Sequence, residues 1–282
     1  MIWGVLPIYW KWLSAVPALQ LVCHRIAWSF LILMSLVFLS GRGRTLIQAL
    51  KQTRVVAFYL IASALVAVNW LTYVWAVNAG FIVETSLGYF INPLFSVALG
   101  VVILRERLRL GQWFSIAVAA LGVLYLTFIY GALPWIALVL AFTFGGYGLV
   151  KKMGPLRSAD GLALETTMLL VPALAYLCHA EHLNRGAFLH LGFVENGLLI
   201  GAGLMTTIPL LLFGAATRRI PLSLIGMIQY IAPTLQFLIG VLVYKEPLSG
   251  SRLMGFALVW LALLIFVIEG IMNQRSAEDT NS

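Results

Sequence analysis

The sequence is a succession of long apolar stretches, and their length constrains the fold more than any other feature. A helix needs about 20 apolar residues to cross the roughly 30 Å of a bilayer core. Ten segments meet or approach this length, and the loops between them are short. The segments are residues 1–13, 19–39, 55–78, 82–104, 110–129, 132–150, 162–180, 193–214, 222–243 and 251–271. Because lipid offers the backbone no hydrogen bonds, such segments predict an all-α membrane protein with ten transmembrane helices.

Composition supports this class of protein. The 282 residues are 62% hydrophobic and only 10% charged, whereas soluble domains are nearer half apolar and a quarter charged. The net charge of +8 comes from basic residues in short loops, which is typical of membrane orientation and not of a nucleic-acid-binding face. We therefore expect a lipid bilayer and a small-molecule substrate as partners, and no nucleic acid. The oligomeric state is unknown at this point.

The distribution of lysine and arginine predicts how the chain crosses the membrane. With the amino terminus inside, the inner loops carry 13 of the 18 basic residues: Arg42, Arg44, Lys51, Arg54, Arg105, Arg107, Arg109, Lys151, Lys152, Arg157, Arg218, Arg219 and Arg275. Outer positions carry 4 of them: Lys11, Arg185, Lys245 and Arg252. Because basic residues favour cytoplasmic loops, we expect both termini in the cytoplasm.

The two ends of the chain differ from the rest. Residues 1–13 would cover only about 20 Å as a helix, which is too short to span a membrane. We expect the first part of this helix to be missing by truncation, with a genuine half-helix or re-entrant segment as the alternative. Residues 273–282 are polar and predict a disordered tail.

An internal repeat organises the chain. A shift of 140 residues aligns several pairs without a gap: Phe90 and Tyr230, Pro93 and Pro233, Gly100 and Gly240, Glu106 and Glu246. We divide the chain into a first five-helix repeat, residues 1–130, a second one, residues 131–272, and the polar tail, residues 273–282. Because five is odd, the second repeat enters the membrane from the opposite side. This 5+5 inverted repeat is a common architecture of secondary transporters.

The matched residues of the repeat have interpretable roles. A proline inside a span leaves a carbonyl unpaired and kinks the helix. A membrane tolerates this only where protein or a water-filled cavity satisfies the backbone, so Pro93 and Pro233 favour a central site between the halves. The alternative is a packing kink at each position. Glu106 and Glu246 end their helices beside basic residues, and we interpret them as interfacial anchors or gate-side ion pairs.

Several stretches together carry a family resemblance: WGVLPIYWK, HRIAWSF, NWLTYVWAVN, ETSLGYFINPL, LRERL, YGLVKK, TTIPLLLFGAATRRIPLS and QYIAPTL. Over essentially its whole length the sequence resembles the RarD family, in the EamA branch of the drug/metabolite transporter superfamily. The resemblance implies a ten-helix permease of the bacterial inner membrane with a central cavity. Related branches export amino acids and other small metabolites. Family members generally begin upstream of the Trp-Gly motif, where this chain departs from them.

Uncharged polar residues deep in the apolar segments are the first candidates for a binding site, because such groups are costly in lipid. On the third segment, Asn69, Trp70 and Tyr73 could line a cavity, although asparagine also joins helices by hydrogen bonds. The residues beside the two prolines are the strongest candidates: Tyr89, Asn92, Gln229 and Tyr230. They could bind substrate directly or cap the carbonyls that the prolines free.

Charged residues inside the spans form a second group of candidates. His24 and Arg25 enter the second segment from the outer side, and Glu84 enters the fourth from the same side. They could bind a zwitterion or carry a proton, or Arg25 and Glu84 could form an ion pair that holds helices together. Glu165 falls opposite His24 at an offset of 141, and we expect a shallow carboxylate that water reaches from the cytoplasm.

The motifs of several enzyme classes are missing from the sequence. It has no P-loop, no HExxH and no GxSxG, and Cys23 and Cys178 lack a metal-ligand spacing. We expect no enzyme activity, no cofactor and no metal, and both cysteines buried. The leading hypothesis is a secondary permease that exports amino-acid-like or amphipathic compounds by alternating access, driven by the substrate gradient or by protons. The alternative is a membrane enzyme or assembly factor acting on a lipid-linked or membrane-associated substrate, or else a sensor or scaffold.

Overall fold

The computed structural model describes residues 1–79, 81–131, 134–245 and 250–279. In chain order the helices of this part are α1 (Ile2–Trp12), α2 (Ala18–Leu39), α3 (Gly43–Leu50), α4 (Thr53–Asn78), α5 (Ile82–Val102), α6 (Leu110–Tyr130), α7 (Trp135–Met153), α8 (Ser158–His182), α9 (Phe193–Thr217), α10 (Leu222–Gln229), α11 (Ile231–Leu242) and α12 (Gly250–Asp279). Within the described residues, 9 helical stretches are long and apolar enough to cross a membrane. The prediction of an all-α, multi-span membrane protein is confirmed.

The two matched prolines lie in different local structures. α5 passes Pro93 as one helix. The equivalent stretch of the second half is divided at Tyr230 into α10 and α11, and Pro233 lies in the first turn of α11. A proline is tolerated there because the N–H groups of a first turn have no partner within the helix. The helix break of the second half therefore precedes its proline.

Three other expectations are corrected. α3 lies in a stretch predicted as a loop. α12 continues through Asp279, so residues 273–279 are helical and the predicted disordered tail is wrong over that range. Cys23 is buried, but Cys178 is exposed, because the wide apolar surface of a membrane helix includes positions with no protein neighbour.

The helix boundaries repeat along the chain. α8, α9, α10 and α12 begin 140 residues after α2, α4, α5 and α6, at 158 against 18, 193 against 53, 222 against 82 and 250 against 110. Close contacts repeat as well. A methyl group on Gly4 of α1 would lie 2.6 Å from Cβ of Leu235 on α11, and one on Gly145 of α7 would lie 2.6 Å from Cδ1 of Phe95 on α5. The first helix of each half, α1 or α7, thus has a glycine at which a helix of the other half packs closely.

The directions of the paired helices agree with the proposed inversion. Along the α6–α12 contact, Gly122 meets Leu258, whereas Leu126, further along α6, meets Gly255, earlier in α12. The two helices, which occupy equivalent places in the halves, are therefore antiparallel. This geometry supports an inverted repeat, while the domain boundaries at residues 130 and 272 stay predictions.

Two apolar core clusters flank the centre of the protein. One joins α2, α4, α7, α8 and α9 around Tyr59, Tyr147 and Phe213. The other joins α5, α6, α10 and α12 around Phe90 and Phe256. The space between these clusters is where α1 and α11 meet, and it contains the polar side chains described next.

Candidate functional site

A cavity of about 150 Å³ lies between the two halves of the chain. Its wall comes from α1, α2, α4 and α5 of the first half and from α7, α10 and α11 of the second. The lining residues are Trp3, Leu6, Pro7, Trp10, Arg25, Asn69, Trp70, Tyr73, Thr85, Gly88, Tyr89, Asn92, Leu140, Phe144, Gln229, Ala232, Pro233 and Gln236. Because both halves supply walls, a movement of one half against the other changes the cavity.

The structure brings most of the predicted site residues together in this cavity. Those that line it are Arg25, Asn69, Trp70, Tyr73, Tyr89, Asn92, Gln229 and Pro233. They come from α2, α4, α5, α10 and α11, so neighbouring segments of sequence do not explain their meeting. Their role as substrate ligands stays a prediction.

Arg25 places a cation in the cavity wall. Its guanidinium carbon lies 4.9 Å from the ring centre of Trp10 and 4.8 Å from that of Trp70, distances at which the aromatic faces stabilise a cation. Nε donates a hydrogen bond to Oγ1 of Thr206 at 2.9 Å. Among the described residues, no carboxylate forms an ion pair with Arg25. The bond to Thr206 uses Nε and does not engage the terminal N–H groups.

A pair of amide side chains joins the two halves across the cavity. Nδ2 of Asn92 on α5 donates to Oε1 of Gln229 on α10 at 2.6 Å. The other two amide atoms, Oδ1 of Asn92 and Nε2 of Gln229, are buried and have no hydrogen-bond partner in the described part of the chain. An unsatisfied buried polar atom costs about 1–3 kcal/mol. Asn92 and Gln229 both line the cavity, and each keeps one amide atom unpaired among the described residues.

Asn69, Tyr73 and Tyr89 also line the cavity, and their contacts hold the surrounding protein together. Asn69 donates through Nδ2 to the carbonyl of Leu140 and to Oγ1 of Thr143, both at 2.9 Å. It therefore anchors α4 to α7, which was the alternative interpretation from the sequence. Tyr73 and Tyr89 pack edge to face, with ring centres 6.1 Å apart, and form an aromatic wall beside Arg25.

Sequence reasoning missed lining residues on α1, α5, α7 and α11. The polar and aromatic residues missed are Trp3, Trp10, Thr85, Phe144 and Gln236. The repeat offers a usable signal: at an offset of 141, WGVLPIYWK (residues 3–11) aligns with FGGYGLVKK (residues 144–152), which pairs Trp3 with Phe144. These two rings meet edge to face in the cavity, with centres 5.4 Å apart.

Five predicted site residues lie away from the cavity or cannot be placed in it: His24, Glu84, Pro93, Glu165 and Tyr230. Tyr230 is fully buried in the second core cluster and its hydroxyl donates to the carbonyl of Phe90 at 3.2 Å. His24 is buried against Phe188, with ring centres 5.3 Å apart. Both face protein because α2 and α10 turn other side chains toward the cavity. The side chain of Glu84 lies outside the described residues, as does Glu246, so the predicted pair of Arg25 and Glu84 has no structural account.

The expectation for Glu165 is wrong. Its side chain is only 1% exposed, and Oε1 lies 2.7 Å from Nζ of Lys151, whose side chain is 3% exposed. The hydroxyl of Tyr147 donates to Oε2 at 2.9 Å. α7 covers α8 at this depth, so the carboxylate is sealed by protein partners and is not a shallow group in contact with water.

Glu106 helps to close one end of the molecule. It accepts hydrogen bonds from the N–H groups of Leu222 at 2.7 Å and Ser223 at 2.9 Å, and from the Ser223 hydroxyl at 2.7 Å. It therefore caps the amino terminus of α10. Burial raises the pKa of Glu106, but these hydrogen bonds and the Lys152 ammonium at 3.7 Å outweigh it and hold the pKa below its ordinary value of 4.5.

Lys152 extends the closure of this end. Its Nζ donates to the carbonyls of Thr217 at 3.2 Å and Ile220 at 2.7 Å. The α5–α6 loop, the end of α7 and the α9–α10 loop are thus tied together. These loops are rich in the basic residues that predict a cytoplasmic location.

A bundle of apolar helices around a polar and aromatic cavity, shared by two similar halves, defines a polytopic membrane transporter. The sequence profile of the EamA-like transporter family matches residues 1–128. The chain is 42% identical over 285 residues to "Uncharacterized transporter YojE" of Bacillus subtilis, covering 99% of this chain and 94% of that protein. The chain belongs to the RarD family of EamA-like transporters, as its sequence resemblance predicts.

Two further comparisons agree with this assignment. "Protein RarD" of Escherichia coli (strain K12) is 42% identical over 278 residues, covering 97% of this chain and 93% of that protein. A solved crystal structure covers 94% of this chain and 92% of its own, with a TM-score of 0.68 and 20% sequence identity, and so shares the fold. The spans and the bacterial relatives support a multi-pass inner-membrane protein.

Proposed function

We propose that the protein is a secondary permease that moves a small amino-acid-like or amphipathic metabolite by alternating access, and that it is not an enzyme. The observation that carries the proposal is the hydrogen bond between Asn92 and Gln229, which joins the two halves inside the cavity. A carrier of this kind needs a site between two bundles, so that their rearrangement exposes it first to one side and then to the other.

The chemistry of the cavity supports the substrate class. A carboxylate can accept two parallel N–H bonds from a guanidinium, and Arg25 has no carboxylate partner among the described residues. A substrate amino group would find an acceptor in Oδ1 of Asn92, which is buried and unsatisfied. The rings of Trp3, Trp70 and Phe144 offer apolar contacts to the hydrophobic part of a substrate. A zwitterion with an apolar side chain satisfies all three features.

The closed end of the molecule indicates which side the cavity faces. The contacts of Glu106 and Lys152 tie together loops that carry most of the basic residues. With both termini in the cytoplasm, as we propose, these loops would be cytoplasmic and the tied end would be the cytoplasmic one. Export is the direction that the family resemblance favours, and the substrate gradient or protons would supply the energy.

Counterflow in proteoliposomes tests the proposal. Vesicles loaded with pools of unlabelled amino acids and small metabolites would be diluted into trace amounts of the labelled compounds. We expect exchange with at least one pool by the wild-type protein, and loss of most of it in Gln229→Ala. The reason is that this change removes a donor from the cavity and leaves Asn92 without its partner.

A matched variant controls for the loss of a glutamine. Gln48 on α3 is exposed and remote from the cavity lining, so Gln48→Ala should exchange like the wild type. If folded wild-type protein exchanged with no pool, the carrier hypothesis would lose its support, and an enzyme, assembly factor or scaffold would be favoured. If both variants exchanged normally, the transport site would lie elsewhere.

A further inference from the structure

The cavity does not include the buried charges of α7 and α8. Glu165 and Lys151 are almost completely enclosed, and their ion pair is 2.7 Å long. Tyr147 donates to the second carboxylate oxygen at 2.9 Å, and the Lys151 ammonium lies 5.6 Å from the centre of that tyrosine ring. Charges inside a membrane protein are expensive and generally functional. Nothing in the cavity explains why this pair is present.

A small chamber lies beside Glu165. Its volume is about 10 Å³, close to the room that one water molecule requires. Its wall includes the polar residues Ser29, Tyr147, Glu165, Thr166, Thr206 and Thr207. Oγ1 of Thr207 is buried and has no hydrogen-bond partner within the described ranges, and Thr207 is part of the chamber wall.

The chamber connects Glu165 to the central cavity. Thr206 is part of its wall and accepts the hydrogen bond of Arg25, which lines the cavity. Trp70 lines both spaces. Thr206, Trp70 and the chamber therefore lie between the candidate substrate site and the buried carboxylate. Events at Arg25 can reach Glu165 through this short route.

The repeat relates the two places directly. α8 begins 140 residues after α2, so by the helix starts Glu165 occupies the position of Arg25 and not that of His24, which the offset of 141 predicts. At the offset of 141 that relates α7 to α1, Lys151 occupies the position of Trp10. Trp10 packs on Arg25 as Lys151 packs on Glu165. If the halves exchanged their arrangements, this repeat relation would bring Glu165 and Lys151 to the place where a cavity wall opens.

Building on the proposed carrier function, we propose that Glu165 is the proton-binding site that couples transport to a proton gradient. In the closed arrangement, its carboxylate is paired with the Lys151 ammonium. A hydronium ion that reaches the chamber from the central cavity gives its proton to the carboxylate and becomes water. The Lys151 ammonium then lacks its counter-charge, which is costly in a protein interior, so the pair separates and the protein opens toward the cytoplasm, where Lys151 keeps its own proton and turns to solvent. The carboxyl group gives its proton to cytoplasmic water, and closing re-forms the ion pair, so each cycle carries one proton inward.

The surroundings of Glu165 determine the direction of the pH effect. Lys151 and Tyr147 on α7 bind Glu165 directly, and Tyr59 on α4 lies within electrostatic reach of it. Tyr59 is in turn influenced by Arg218 after α9 and by Asp160 on α8, and Thr206 of the chamber wall accepts a hydrogen bond from Arg25 on α2. Asp160 is neutralised by Arg42 at 2.6 Å. Protonation of Glu165 removes the attraction that holds Lys151, so acidification favours the separated, cytoplasm-open arrangement.

Infrared spectroscopy tests the proton site without any substrate. Difference spectra of the reconstituted protein between neutral and acidic pH should show the carbonyl stretch of a protonated buried carboxyl group. The band should be lost in Glu165→Gln and retained in Asp160→Asn, a buried carboxylate of the same helix with its own cation. A band that persists in Glu165→Gln would overturn the proposal, as would the lack of a band in the wild type.

Transport separates proton coupling from the carrier function itself. With the pools of labelled amino acids used for counterflow, the wild type should accumulate label under an imposed pH gradient. Glu165→Gln should keep counterflow exchange and lose accumulation, and Asp160→Asn should keep both. Wild-type counterflow without any response to the gradient would refute proton coupling and leave the permease intact. Absence of counterflow in the wild type would instead refute the carrier.

A second variant covers the case in which Glu165→Gln is inactive or unfolds. Glu165→Gln leaves the Lys151 ammonium buried without its carboxylate, and the double variant Lys151→Met/Glu165→Gln removes both charges. The double variant should recover the fold and counterflow but not accumulation driven by pH. Recovery of both activities would contradict the proposal, as would a folded double variant that performs neither.

Discussion

Equivalent positions of the two halves hold a buried charge in opposite ways, Arg25 without an ion-pair partner among the described residues and Glu165 with one. In the first half, Arg25 lies between Trp10 and Trp70 at the edge of the cavity. In the second half, Glu165 is bound by Lys151 and sealed from solvent. A cation between aromatic faces keeps terminal donors for a ligand, whereas an ion pair with a further tyrosine donor is already satisfied. The charge of the first half therefore lies at the cavity edge, where a ligand can meet it, and the charge of the second half is sealed in an ion pair.

The largest expected effect comes from breaking the closed pair on one side. Lys151→Met should lower the free energy of unfolding by about 3–5 kcal/mol, because it leaves the Glu165 carboxylate buried without a counter-charge. Denaturant unfolding in detergent measures this, and adding Glu165→Gln should restore most of the loss. A single variant as stable as the wild type would mean that water reaches Glu165, and the contrast between the halves would disappear.

The matching change on the other side should affect binding and not stability. Arg25→Gln removes a charged donor whose hydrogen bonds contribute about 1.5–3 kcal/mol, so half-saturation in counterflow should rise roughly 10- to 100-fold for substrates with a carboxylate. Unfolding should change little, since Arg25 pairs with no carboxylate among the described residues. A loss of stability as large as that of Lys151→Met would make Arg25 a structural residue.

The glycine contacts sharpen the comparison at the level of packing. A methyl group at Gly4 would meet Cβ of Leu235, which cannot rotate away, whereas one at Gly145 would meet the ring edge of Phe95. Overpacking costs about 1–3 kcal/mol, and we expect Gly4→Ala to approach the upper figure and Gly145→Ala the lower one. Thermal unfolding of the two variants gives the order of their destabilisation. The reverse order would show that the surroundings of Gly4 adjust to a methyl group more readily than those of Gly145.

The smallest expected effect concerns the cap at the closed end. Glu106→Gln should cost about 0.5–2 kcal/mol at neutral pH, as other losses of a helix cap do. Because the folded state depresses the pKa of Glu106, the stability it contributes is present above 4.5 and is lost as the pH falls through the lower folded value. The difference between variant and wild type should therefore shrink in acid. An unfolding profile with the same difference at every pH would show that the charge of Glu106 is not what caps α10.

The sequence predicted the polar residues of the cavity better than the aromatic residues that line the rest of it. Asn92 and Gln229 were identified because each precedes a proline in matched positions of the repeat, and both line the cavity. Trp10 and Trp3 were not, since an aromatic residue in an apolar run looks the same whether it faces lipid or a cavity. Tyr230 was misplaced for the related reason that a residue adjacent to a site residue on a helix points about 100° away from it.

By itself, the sequence determined the class of protein, the number and approximate limits of most spans, the family, and the repeat spacing that the helix starts share. These follow from hydrophobic length and local pattern, which act within one segment. Only the tertiary structure decided which polar groups are satisfied. Glu165 is closed by partners on α7, Asn69 anchors α4 to that same helix, and Arg25 remains between two rings. Rotation and packing of whole helices against each other fix such partners, and a pattern along one helix does not contain that information.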